Sequence, residues 1–133
     1  MQRIPSLYFA NSELGGRGVF TAAEVPERSL LEICPVIVMP REHLKHLDQT
    51  GMYDYYFLWG EQEDACAVAL GYGSLYNHSY TPNAIYLPDF GEQALHFITL
   101  RTIKAGEEVT VNYNGNPGNE EEVWFMARRL GDE

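Results

Sequence analysis

The sequence predicts a mostly-β fold. Short apolar segments of strand length recur between Gly, Pro and Asn residues along the 133-residue chain, and only two stretches carry helical signals. Candidate strands are residues 18–20, 30–39, 65–70, 84–87, 94–100 and 108–111, with no internal repeat and no low-complexity tract among them.

The first strand, Gly18-Val19-Phe20, leaves a glycine-rich turn. The run Leu30-Leu31-Glu32-Ile33-Cys34 continues past Pro35 as Val36-Ile37-Val38. Proline has no N–H to give a ladder, so Pro35 is expected at a sheet edge or a bulge. Residues 41–48, between Pro40 and Gly51, read as a short helix. Four further apolar segments, ending with Glu108 to Val111, supply the remaining strands. A second helix is expected over about 119–130, where Asn119 caps and Glu122 completes a capping-box-like pair. Glu120, Glu121 and Glu122 sit at its positive end, and Arg128 and Arg129 at its negative end. Val123, Met126, Ala127 and Leu130 form its apolar stripe, which Trp124 and Phe125 flank.

Length and a 45% hydrophobic content point to one domain over 1–133 with a single core rather than to disorder. Nine basic against nineteen acidic side chains give a formal charge of −10. Such a surface repels nucleic-acid phosphates and attracts a cationic partner such as a lysine-rich peptide. Cys34 and Cys66 both lie in apolar stretches, as buried free thiols do, and two isolated cysteines make no zinc cluster. His43, His46, His78 and His96 share no ligand spacing with cysteines or carboxylates, so no metal site is expected. The N-terminus lacks the apolar stretch of a secretory signal, and no run reaches membrane-spanning length. A soluble intracellular protein is expected, in the cytoplasm, or in the nucleus if the source is eukaryotic or viral.

Three segments carry the chemistry. Gly15-Gly16-Arg17-Gly18 permits close backbone approach to a ligand, although a hairpin turn explains it equally well. No helix follows it, which makes a phosphate loop a poor reading. Asn77-His78-Ser79 with Pro82-Asn83 is a polar segment set between the apolar runs 67–70 and 85–87. Its donors and acceptors must be met internally or offered to a ligand. Gly106-Glu107-Glu108-Val109-Thr110 is a turn entering a strand that leads to Tyr113.

In this order the segments resemble the SET-domain protein lysine methyltransferases, from about residue 7 to 113. Compactness, Asp54-Tyr55-Tyr56-Phe57 and the Ala69-Leu70-Gly71-Tyr72-Gly73 lead are similar to small stand-alone, viral-type SET domains. The resemblance implies small β-sheets, short helices and a C-terminal pseudoknot, with the chain near Tyr113 threaded under the loop of Asn77 and His78. It implies S-adenosylmethionine as methyl donor and lysine side chains of a basic peptide or histone-like protein as acceptors. Gly16, Arg17 and Gly18 would then hold the methionine end of the cofactor, and Asn77 and His78 its amino group and adenine edge. Tyr113 matches the catalytic tyrosine and also borders the cofactor. Tyr86 stands where some members line the lysine channel with a tyrosine, and Tyr55 or Tyr56 is a further channel candidate.

The cysteine-rich zinc motif that closes many members after the tyrosine is absent, and residues 114–118 read Asn-Gly-Asn-Pro-Gly. Trp124 is a candidate to cover the cofactor in its place, and Phe125 to border the channel. A homodimer is plausible by analogy with small relatives. The alternative is a catalytically silent module binding a lysine-rich partner through the acidic surface. Asn77, His78 and Tyr113 together argue against it, since a pure binder has no use for the cofactor constellation.

Overall fold

The structure, a computed structural model, describes residues 2–115 and 118; the helix expected at 119–130, with Trp124 and Phe125, lies outside the described residues. Among the described residues the strands are β1 (Leu7–Asn11), β2 (Arg17–Thr21), β3 (Leu30–Pro40), β4 (Tyr56–Trp59), β5 (Ala65–Ala69), β6 (Asn77–His78), β7 (Ala84–Asp89), β8 (Ala94–Thr99) and β9 (Glu108–Val111). A 3₁₀ turn at Arg41–His43 runs into the single-turn helix α1 (Leu44–Leu47), and a second 3₁₀ turn covers Gly51–Asp54. The strands form a five-stranded sheet in the order β4-β5-β3-β8-β7 and a four-stranded sheet in the order β1-β2-β9-β6.

Strand β3 is central to the larger sheet, which corrects the expectation placing Pro35 at an edge or bulge. The register shift in β3 lies between Leu30 and Glu32 instead. Proline is tolerated because the strand changes partners there. Residues up to Pro35 pair with β8, and those from Val36 onward pair with β5. Pro35 C=O accepts the N–H of Leu70 (2.9 Å), but the return bond needs an N–H that proline lacks. Leu70 C=O accepts from Gly73 N–H (3.2 Å) instead, which turns the chain toward the polar segment.

Strand β8 shows the alternation that creates the core: Leu95, Phe97 and Thr99 are buried, and His96 and Ile98 are half-buried. Leu95 and Phe97 pack with Leu31, Cys34, Ile103, Val109 and Tyr76 in one cluster. Tyr76 stacks on Phe97 with ring centroids 4.0 Å apart and planes 7° from parallel.

Strand β9 lies inside the smaller sheet, between strands far apart in the sequence. It pairs antiparallel with β2 through Val19↔Val109 and Phe20↔Glu108, and in parallel with β6 through Asn77↔Thr110 and His78↔Val111. Buried Asn83 fastens the crossing: its Nδ2 donates to Glu108 C=O (2.8 Å), and its Oδ1 accepts Thr110 N–H (2.8 Å). Ser79 N–H donates to Val111 C=O (2.9 Å). The polar segment therefore satisfies its hydrogen-bonding groups against a strand that passes beneath it, the pseudoknot expected of the fold.

Asn83→Ala leaves both a buried N–H and a buried carbonyl without partners, and it should destabilise the fold by about 3 kcal/mol in chemical denaturation. An unchanged denaturation midpoint would show that the crossing does not depend on this clamp.

Candidate active site

The hairpin between β1 and β2 closes through Ser12 N–H to Gly16 C=O (2.9 Å), with Gly16 at a φ of +56° that glycine adopts without strain. This places the carbonyls of Gly15 and Arg17 beside β6. Asn77 Nδ2 donates to Glu108 Oε2 (2.7 Å), to Arg17 C=O (3.2 Å) and to Gly15 C=O (3.5 Å). Three acceptors around one amide nitrogen fix the orientation of the group. Asn77 Oδ1 is then left as an acceptor with no donor among the described residues. The other oxygen of Glu108 accepts from Ser12 Oγ (2.6 Å), so the carboxylate ties the glycine hairpin to β9.

Gly18 lies against this junction. A Cβ there would overlap Glu108 Oε2 and stand 2.9 Å from Asn77 Nδ2. The place of Gly18 in the motif is thus to let the Asn77–Glu108 pair close behind the hairpin. Glu108 itself was not singled out from the sequence. Its signal was the doubled glutamate of 107–108, whose first member turns back to accept Lys104 N–H (3.0 Å) while only the second reaches the site.

In front of the hairpin lies a polar cavity of about 150 Å³, bordered by Gly16, Arg17, Tyr55, Asn77 and Tyr113. A second cavity of about 550 Å³ is bordered by aromatic side chains that include Tyr55, Phe57, Trp59, Tyr86 and Tyr113. Tyr113 and Tyr55 belong to both linings. In the second cavity the rings of Phe57 and Tyr86 meet edge to face at 5.2 Å. Tyr56 also borders it, with its hydroxyl donating to Asp48 (2.8 Å).

Tyr113 is held at several atoms. Its hydroxyl donates to Tyr76 C=O (2.6 Å), and its N–H donates to His78 Nδ1 (3.0 Å). Its C=O accepts the hydroxyl of Tyr86 (3.1 Å). With the phenol proton committed to Tyr76, any further contact of that oxygen is as an acceptor. Burial pushes the Tyr113 phenol well above its ordinary range and that of Tyr86 up to about 12, so both stay protonated at physiological pH. Burial lowers the His78 pKa, in keeping with a neutral ring whose Nδ1 can accept and whose Nε2 carries the proton. His78 borders neither cavity; its Nε2 is buried with no partner among the described residues, and the ring packs edge-on to Tyr80 at 4.4 Å.

The structure thus gathers Gly16, Arg17, Asn77 and Tyr113 around the polar cavity and Tyr55, Tyr86 and Tyr113 around the aromatic one, and it sets Gly18 behind the hairpin, outside both linings. It sets His78 behind Tyr113. Among the described residues no group of three or more His, Cys, Asp or Glu could hold a metal ion, and no helix is long and apolar enough to cross a membrane.

Residues 16–114 match the SET domain family. The chain is 32% identical over 123 residues, 92% of its length and 82% of the other, to a histone-lysine N-methyltransferase of Schizosaccharomyces pombe described as H3 lysine-37 specific. It is 49% identical over 41 residues to a SET domain-containing protein of Acanthamoeba polyphaga mimivirus, a match covering 31% of this chain and 15% of that one. Among solved structures, a Plasmodium falciparum protein named as a putative histone methyltransferase superposes with a TM-score of 0.67 at 25% identity, over 94% of this chain and 99% of that one. A chain of an apo ctPRC2 structure superposes with a TM-score of 0.72 at 20% identity, over 97% of this chain and 16% of that one, which shows a shared fold. A glycine hairpin, an Asn-His segment and a tyrosine joined by a threaded strand are the parts of this match that the geometry brings together, and the chain belongs to the SET-domain family.

Proposed function

We propose that this chain is an S-adenosylmethionine-dependent methyltransferase acting on lysine side chains of a basic, histone-like protein. The observation that carries the reading is Tyr113 standing where a glycine-walled polar cavity and an aromatic cavity meet. A transferase of this kind needs two entrances that face one point, so that donor and acceptor approach in line. The relatives support the chemistry: the S. pombe protein is named for histone lysine methylation.

The residues present fit the cofactor. Its methionyl ammonium needs an acceptor, and Asn77 Oδ1 is one, oriented by the acceptors around its amide nitrogen. The missing side chains at Gly15 and Gly16 let backbone approach the ligand closely. Residues beyond the described hairpin, Trp124 among them, are candidates to complete the wall. When bound, S-adenosylmethionine supplies a methyl group made electrophilic by its sulfonium.

The chain's own residues then act by positioning and desolvation. A free lysine amine has a pKa near ~10.4 and is protonated at neutral pH. The ring-walled cavity of Tyr55, Phe57 and Tyr86 disfavours the ammonium and strips its water, as a nucleophile requires. Tyr113 takes no proton from it, because its phenol is already protonated and burial keeps it so. Its oxygen, whose proton points at Tyr76, offers lone-pair density toward the reacting centre and steadies the polarised transition state. The acidic chain, at −10, favours approach of a lysine-rich substrate.

The direct test uses labelled cofactor and a lysine-rich protein. Tyr113→Phe should bind cofactor as the parent does and transfer methyl about 100-fold more slowly. Cofactor binding with no transfer to a broad lysine panel would favour a silent binding module, and no binding at all would refute the pocket.

Tyr86→Phe removes a hydroxyl from the aromatic cavity and should shift products toward higher methylation. Mass spectrometry showing the same product distribution would sink this role for Tyr86.

The pH profile should carry one limb. With the tyrosines protonated up to about pH 12 for Tyr86, kcat/KM should rise about tenfold per pH unit between roughly 7 and 9 as the substrate amine loses its proton. A profile that falls across that range would place a protonated group of the protein in the reaction.

A further inference from the structure

We infer that Glu32 and Tyr76 are positioning residues that aim the hydroxyl of Tyr113. Glu32 is 1% exposed in the centre of the larger sheet, where a carboxylate is expensive unless it is closely matched. Each of its oxygens is matched. Oε2 accepts from Arg3 Nε (3.1 Å) and from Tyr72 N–H (3.0 Å), and Oε1 accepts the hydroxyl of Tyr76 (2.9 Å). Arg3 is held in turn, with its guanidinium carbon 3.8 Å from the centroid of the Tyr72 ring. The enclosure leaves little slack, because a Cβ on Gly71 would stand 2.6 Å from Oε2.

What this carboxylate fixes is Tyr76, the residue immediately before β6. Glu32 pins the far end of its ring, and Phe97 pins the face. The backbone carbonyl of the same residue receives the Tyr113 hydroxyl at 2.6 Å. The backbone of Tyr113 is held separately, by His78 on its N–H and Tyr86 on its C=O. Those two bonds place the residue, and the bond to Tyr76 sets the direction in which the phenol proton points. A continuous path, Arg3–Glu32–Tyr76–Tyr113, thus runs from the chain's N-terminal segment to the point where the two cavities meet. A buried charge serving packing alone would have no need to end there.

The catalytic consequence rests on the methyltransferase reading, whereas the geometric one does not, and the test separates them. Tyr76→Phe keeps the ring on Phe97 and the backbone, and removes only the hydroxyl that Glu32 holds. Arg3→Met is a milder second variant that withdraws the cation from Glu32 at an exposed position. The first readout is the ¹³Cζ resonance of Tyr113 in protein labelled at tyrosine, identified by its loss in Tyr113→Phe. It should move in Tyr76→Phe and move less in Arg3→Met, with circular dichroism unchanged.

The second readout is single-turnover methyl transfer at saturating cofactor and peptide. It should fall about tenfold in Tyr76→Phe with KM for both substrates unchanged, as expected for a misaimed group. An unmoved Tyr113 resonance in a folded variant overturns the inference. A moved resonance with an unchanged rate overturns its catalytic part. If the parent protein transfers no methyl group, the functional reading fails, and the resonance alone decides whether Glu32 and Tyr76 aim the phenol.

Discussion

Strand β9 has a neighbour from each half of the chain, β2 antiparallel on one side and β6 parallel on the other, and the rest of the structure depends on that double pairing. A parallel pair as short as Asn77–His78 against Thr110–Val111 has few ladder bonds of its own. The clamp by buried Asn83 and the bonds from Ser79 and to His78 make up the difference. Threading is rare because closing such a loop is entropically unfavourable. Here it is offset by satisfying a polar segment that would otherwise lie unpaired between two apolar strands.

The site is a by-product of this crossing. Because β9 lies between β2 and β6, Glu108 can reach both Ser12 in the hairpin and Asn77 in the loop. Because the chain leaves β9 beneath that loop, Tyr113 emerges against Tyr76 and His78. None of these contacts joins residues close in sequence. The crossing therefore sets the positions of Arg17, Asn77 and Tyr113 in the polar cavity, which suits a reaction whose rate comes from alignment.

Much of the architecture was legible because burial writes itself as pattern. Strands β3, β5, β7, β8 and β9 fall on apolar runs bounded by turn residues. The helix expected at 41–48 is a 3₁₀ turn and a single helical turn ending at Leu47, and Gly51 opens the next 3₁₀ turn instead of closing it. Strand β1 escaped notice because its aromatic residues face outward, Tyr8 at 38% and Phe9 at 47% exposure. Strand β4 has only four residues, and β6 only two, too few for any period to show. Glu32 was hidden for a different reason. The register shift beside it buries Leu31 and Glu32 in succession, so alternation would have put one of the two in solvent. Asn77, His78 and Tyr113 were candidates through family resemblance, and they differ in where they stand. Asn77 borders a cavity, while His78 supports Tyr113 from behind.

The measurement that bears most directly on this account is a crystal structure of the chain with S-adenosylhomocysteine and a lysine peptide. The cofactor's sulfur is expected in the cavity beside Asn77 and Gly16, with the lysine Nζ entering past Tyr86 and the two facing each other across the Tyr113 hydroxyl. A cofactor bound elsewhere, or a lysine entering from the same side as the cofactor, would contradict it.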